Sequence, residues 1–119
     1  MRKGGTVTIF GIKNCDTMKK ARAWLDAHGV VYAFHDYKTA GIARPTIDAW
    51  ARDVGWETLL NRAGTTFRKL PDADKAGINE KKAIALMLAH PSMIKRPVLE
   101  IGGALIVGFD PARYASALA

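Results

Sequence analysis

One cysteine stands among the 119 residues, so no disulfide can form within the chain. Histidine is nearly as scarce. His28, His35 and His90 lie far apart, without the spacing of a zinc ligand set, and a bound metal is not expected. No apolar run approaches the roughly 18 residues that a membrane span needs. The basic start, Met1-Arg2-Lys3-Gly4-Gly5, is followed by an apolar stretch too short for a secretory signal. A membrane partner is therefore not expected, and a cytoplasmic location is. Acidic residues are outnumbered, 11 against 18 Lys and Arg, for a net charge of +7 that favours anionic partners. The basic residues are spread along the chain without aromatic interleaving and without zinc-finger, helix-turn-helix or RNP patterns. A generic basic surface is the expectation, with no specific nucleic-acid binding.

What remains is enough for one core: 119 residues make a single domain, 1–119, that buries most of its apolar side chains without a metal or a crosslink. Thr6–Phe10 is β-branched and aromatic and reads as a buried strand. A helix is predicted from Asp16 to about His28, with Met18, Ala21, Leu25 and His28 on one face and Gly29 as its stop. Val30–Tyr37 is a second predicted strand. Strand, helix and strand in some thirty residues make a βαβ unit with parallel strands.

The middle of the chain, about 41–93, is helical in character. Pro45 opens a helix to about Val54 with Ile47, Trp50 and Val54 at helical spacing, and Trp56–Asn61 makes a short turn carrying Leu59 and Leu60 inward. Arg62–Thr66 and Leu70–Asp74 read as polar loop. Asn79 caps a helix over Glu80–Ala89, whose inner face holds Ala83, Ile84, Met87 and Leu88. Trp24, Trp50 and Trp56 are expected to pack rather than to bind a ligand. Two further strands, Val98–Ile101 and Leu105–Val107, flank Gly102-Gly103, which signals a hairpin, and Asp110-Pro111 opens a terminal helix over Ala112–Leu118. These pieces assemble into an α/β fold of thioredoxin-like architecture: a four-stranded mixed sheet flanked by helices, with a helical middle.

The lone cysteine falls between the first strand and the first helix. A thiol at a helix start meets unpaired N–H groups and the positive end of the dipole, which lower its pKa and favour the reactive thiolate. On position alone Cys15 is equally a small buried hydrophobe. The polarity of its surroundings, Lys13, Asn14, Asp16, Thr17, Lys19 and Lys20, favours an accessible thiol. Lys19, one helical turn on, would attract a thiolate; Asp16 would oppose it.

Three stretches together resemble the ArsC/Spx family, most closely its small YffB-type branch. They are Ile9-Phe10-Gly11-Ile12-Lys13-Asn14-Cys15-Asp16-Thr17-Met18-Lys19-Lys20-Ala21, then Leu59-Leu60-Asn61-Arg62 with Gly64-Thr65-Thr66, then His90-Pro91-Ser92-Met93-Ile94-Lys95-Arg96-Pro97-Val98-Leu99. The resemblance implies a thioredoxin-like fold with a helical insertion, about 41–93, and a cis peptide at Arg96-Pro97 beside the cysteine. The residues alone would only make Pro97 the opening of an edge strand. It also implies arsenate-reductase-like chemistry, in which a cysteine attacks an oxyanion held by arginines and glutathione with glutaredoxin removes the product. Arg96 matches one such arginine. Asn61 stands at the place of a second, with Arg62 one residue on, and the region around Val107-Gly108-Phe109 offers no third. Gly11 replaces the family's histidine, and Lys19 replaces an arginine. Lysine does not reproduce a guanidinium fork, so weaker oxyanion binding is expected.

The reading that results is a glutathione-dependent thiol oxidoreductase with Cys15 as nucleophile. Lys13, Asn14, Lys19, Arg62, Arg96 and Pro97 would bind glutathione or another substrate, an oxidised thiol or an oxyanion. Each of the basic residues also admits a plain surface role. No cofactor is expected to be bound; glutathione is a co-substrate and glutaredoxin a partner. The alternative is an Spx-like regulator that binds the RNA polymerase α subunit. Many Spx proteins carry a Cys-x-x-Cys switch, and with Met18 in the partner position this chain has none.

Overall fold

The computed structural model describes residues 7–118, so Thr6, predicted as the first strand residue, lies outside the described residues, as does the basic start. The chain divides into two compact units: one formed by the residues up to Ala40 together with those from Arg96 onward, the other by Gly41–Lys95.

The first unit is built on a four-stranded sheet of β1 (Val7–Gly11), β2 (Ala33–Asp36), β3 (Val98–Ile101) and β4 (Ala104–Val107), in the order β2-β1-β3-β4. β1 runs parallel to β2 and antiparallel to β3, and β3 pairs antiparallel with β4. This is the mixed sheet expected of a thioredoxin-like fold. α1 (Asp16–Ala27) makes the crossover and α8 (Pro111–Leu118) closes the chain. Val7 and Ile9 alternate with Thr8 as a half-buried strand requires, and they pack with Met18, Ala21 and Leu25 of α1, Leu99, Ile101, Ile106 and Tyr114 in one core. The hairpin turns at Gly102, whose φ of 57° suits a residue without Cβ. Asp110 accepts hydrogen bonds from the N–H groups of Ala112 and Arg113, as the cap of α8.

The second strand is shorter than the Val30–Tyr37 predicted. Its register with β1 ends at Gly11 opposite Asp36, because β1 itself ends there. Before Ala33 the chain has no ladder, and Val31 is 91% exposed. At Tyr37 the backbone turns instead into α2 (Tyr37–Ala40), where the Asp36 carboxylate accepts from the Lys38 N–H and the Asp36 carbonyl accepts from the Thr39 hydroxyl. Nor does His28 join the buried face of α1. It is the exposed C-cap, its ring stacked on Trp24 and hydrogen-bonded to the Trp24 carbonyl.

The second unit is helical: α3 (Arg44–Val54), α4 (Trp56–Leu59), α5 (Thr65–Arg68), α6 (Asp72–Lys75), α7 (Glu80–Ala89) and a 3₁₀ turn, Pro91–Met93. Ile47 and Trp50 of α3, Leu59 and Leu60, and Ala83, Ile84 and Met87 of α7 are buried, whereas Leu88 is only half-buried. α5 and α6 replace loops expected at Arg62–Thr66 and Leu70–Asp74. Their four residues are too few to show a hydrophobic period, and tertiary contacts hold them: Phe67 is buried, the hydroxyls of Thr66 and Ser92 meet at 3.0 Å, and Lys82 Nζ donates to the carbonyls of Ala73 and Ala76. Among the described residues no helix is long and apolar enough to cross a membrane.

Candidate functional site

Cys15 is the N-cap of α1, extended at φ −126° and ψ 131°, and half-buried. Its carbonyl accepts the first helical hydrogen bond, from the Lys19 N–H at 3.0 Å. A good cap residue would offer an oxygen to the N–H groups of the first turn. Cys15 offers sulfur, and no conventional side-chain cap bond forms. The ionised sulfur is what these N–H groups favour.

Burial pushes the thiol up, but the Met18 N–H, the Arg96 side chain and the Thr17 N–H together outweigh burial, with the Arg96 charge added, and the pKa falls below the ordinary thiol value. Two separate parts of the fold thus converge on one sulfur: the first turn of α1 and Arg96, two residues before β3. Thiolate at this position is a nucleophile with a cation beside it.

Arg96 is fixed by its backbone. The Arg96-Pro97 peptide is cis. Pro97 is buried and its carbonyl accepts from the Gly108 N–H at 2.8 Å, which ties the segment to the residue just past β4.

Gly11 and Met18 are also linked. Met18 is fully buried, and a Cβ built on Gly11 would run into its thioether, which fills the space where a side chain at 11 would lie. Met18 thus stands at the position of a second thiol, and a larger residue at the end of β1 would require its thioether to shift.

The other residues singled out from the sequence fall in several places. Lys13 and Asn14 are exposed in the turn before Cys15, and Lys19 is exposed on α1. Arg62 belongs to the second unit, where its guanidinium lies over the Trp56 ring at 5.0 Å. Asn61 is held in a turn, its side-chain oxygen accepting from the Ala63 N–H and its own N–H donating to the Met93 carbonyl. Of the tryptophans, Trp50 is buried, Trp56 lies under Arg62, and Trp24 meets Tyr114 edge to face. Among the described residues no three His, Cys, Asp or Glu side chains come together to hold a metal.

One residue was missed. Tyr37, read as the end of a strand, is fully buried, hydrogen-bonds with Arg96 and feels the charge of Cys15. Its polar tip at the end of an apolar-polar strand pattern was the only available signal, and that signal does not distinguish packing from a site.

Comparison with known proteins agrees with this architecture. A solved structure of the YffB protein superposes with a TM-score of 0.93 at 64% identity, covering 96% of this chain and all of the other. The solution structure of an arsenate reductase (ArsC) related protein from Brucella melitensis gives a TM-score of 0.77 at 57% identity, over 98% and 97% of the two chains. The global transcriptional regulator Spx of Streptococcus mutans is 31% identical over 107 residues, 87% of this chain and 77% of Spx. Residues 10–117, a span from the end of β1 through α8, match the model of the ArsC family, to which this chain therefore belongs.

Proposed function

We propose that the protein is a thiol reductase of the ArsC type that uses Cys15 as nucleophile and glutathione as the external thiol. The observation that carries this reading is the lowered pKa of a half-buried thiol set between the first turn of α1 and Arg96. The Cys15 thiolate attacks one sulfur of a substrate disulfide; a Cys15 mixed disulfide forms and the other sulfur leaves as thiolate. Where the retained half is glutathione, a second glutathione thiolate attacks the adduct, releasing oxidised glutathione and restoring the Cys15 thiolate. The net change is thiol–disulfide exchange: one free glutathione is consumed, the substrate sulfur leaves as thiolate, and the glutathionyl group the substrate carried departs within oxidised glutathione. The chain has no second cysteine, so the resolving thiol is external, and glutaredoxin is a natural recipient of the adduct.

Arg96, with Lys13, Asn14 and Lys19, supplies donors for the carboxylates of glutathione, and the backbone at Pro97 aligns its peptide groups. A reducing cytoplasm, which holds glutathione, is the compartment this chemistry needs. Arsenate is the weaker substrate class here, since Asn61 and Lys19 stand where the resemblance places arginines in the family's arsenate reductases.

The test is alkylation of Cys15 as a function of pH, followed by mass spectrometry after exposure to oxidised glutathione. A midpoint below the ordinary thiol value and a single glutathione adduct are expected. A midpoint at the ordinary value removes the reading. The likeness to Spx supports a second reading, a regulator that binds the polymerase α subunit. In that case a pull-down with the α C-terminal domain succeeds and survives Cys15→Ser.

A further inference from the structure

The Arg96 side chain is long and flexible, yet its effect on Cys15 requires that the guanidinium stay beside the sulfur. Something must hold it there, and the fold supplies a buried phenol. Tyr37 is the first residue of α2, fully inaccessible to solvent, just after the strand that pairs with β1. α2 packs on β1, the strand whose end leads into the Cys15 turn, and the Asp36 cap fixes the start of α2. Arg96 is the first residue of the returning segment, anchored at Pro97. The Tyr37 side chain hydrogen-bonds with Arg96, and Arg96 hydrogen-bonds with Cys15.

We infer that Tyr37 is a positioning residue for the thiol chemistry, its buried hydroxyl holding the Arg96 guanidinium against the Cys15 sulfur.

The donor and acceptor inventory gives the direction of this contact. A guanidinium only donates, so the phenol oxygen accepts. The phenol also stays neutral. Burial pushes its pKa well above the ordinary tyrosine value; the charge and hydrogen bond of Arg96 oppose that, and the negative charges of Cys15 and Asp36 add to it. Neutrality matters, because a phenolate would compete with the sulfur for the Arg96 charge, whereas a phenol orients the guanidinium and leaves its charge to the thiolate. Among the described residues, Cys15, Arg96 and Asp36 are the charged or titratable groups that act on Tyr37. The inference rests on the proposed role of Cys15 and adds what holds the Arg96 charge beside that thiol.

The experiment is the pH profile of Cys15 alkylation in the full chain for wild type, Tyr37→Phe, Arg96→Ala and the double variant. Below the wild-type midpoint, Tyr37→Phe should alkylate roughly three- to tenfold more slowly, since each unit of midpoint shift changes the thiolate fraction about tenfold. Well above the midpoint the two should react alike, which loss of packing alone would not produce. In the Arg96→Ala background the Tyr37→Phe substitution should leave the profile unmoved. An unchanged profile in the single variant, or a shift that persists without Arg96, overturns the inference. Should Tyr37→Phe fail to fold, side-chain NMR of wild-type Arg96 decides: hindered guanidinium rotation is expected, and free rotation overturns it. A wild-type midpoint at the ordinary thiol value would instead remove the proposed function, so the two failures are distinguishable.

Discussion

Two helices of this chain begin in opposite ways. α7 starts at Asn79, whose side-chain oxygen accepts from the Lys82 N–H at 2.9 Å, the arrangement that stabilises a helix end. α1 starts at Cys15, which makes no such bond and leaves its first-turn N–H groups turned toward a sulfur. The first start serves stability. The second gives up roughly 1 kcal/mol of capping, typical of a good N-cap side chain, and in exchange places a partly accessible thiol in a field that favours its charged form. A reactive group at a helix end is thus recognisable by the stabilising contact that is missing as well as by the charges that are present.

The sharpest way to break this comparison is Cys15→Ser, which should abolish alkylation and glutathione adduct formation altogether. It should also raise stability, because serine is a better cap, and the gain should depend on pH. The folded thiol has a lowered pKa, so in the wild type it contributes stability that is present above the unfolded value and is lost as pH falls through the folded one. The advantage of serine should therefore be greatest in acid and shrink toward pH 9, as denaturant titrations across that range would reveal. If serine gains equally at every pH, the thiolate is not what the α1 start stabilises.

Next in size is Arg96→Ala, which removes both a hydrogen bond and a charge from the sulfur. The alkylation midpoint should move up toward the ordinary thiol value of about 8.5, with several-fold slower reaction at neutral pH. Asn79→Ala is the counterpart at the other helix: about 1 kcal/mol lost in chemical denaturation, with the Cys15 profile unchanged. A shifted thiol profile there would mean that the two starts are coupled.

The smallest effect concerns the alkaline side. Tyr37 and Tyr114 both have pKa values raised by burial, so their contribution is complete below the unfolded tyrosine value of about 10 and falls away as pH climbs past it. Melting temperature should decline from about pH 10 upward, and Tyr114→Phe should soften that decline without touching Cys15. The Tyr114 hydroxyl is buried without a hydrogen-bond partner, so the phenylalanine variant should also be no less stable near neutrality.

Much of the fold was legible because long, periodic elements carry their own signal. β1, α1, α3, α7 and the Gly102-Gly103 hairpin have the apolar spacing, the cap or the turn residues that name them, and Asn79 and Asp110 cap where expected. α5 and α6 were not legible, since four residues show no period and their stability comes from Phe67, Ser92 and Lys82 elsewhere in the chain. The end of β2 was misplaced for a related reason: its length is set by β1, which stops at Gly11. At the site, Cys15 announced itself by its solitude and its place before a helix. Tyr37 did not, because a tyrosine closing a strand looks the same whether or not an arginine 59 residues on reaches its hydroxyl.

The order of the strands and the longer helices, the single thiol at a helix start and the exclusion of an internal disulfide all follow from the amino acids in line, because local propensity, capping and counting need no distant partner. The lowering of that thiol's pKa was decided by folding. Met18 and Thr17 are near it in the chain, but Arg96, held at the head of β3, comes to the sulfur only when the strands pair, and a charge acts through distance in space rather than along the sequence.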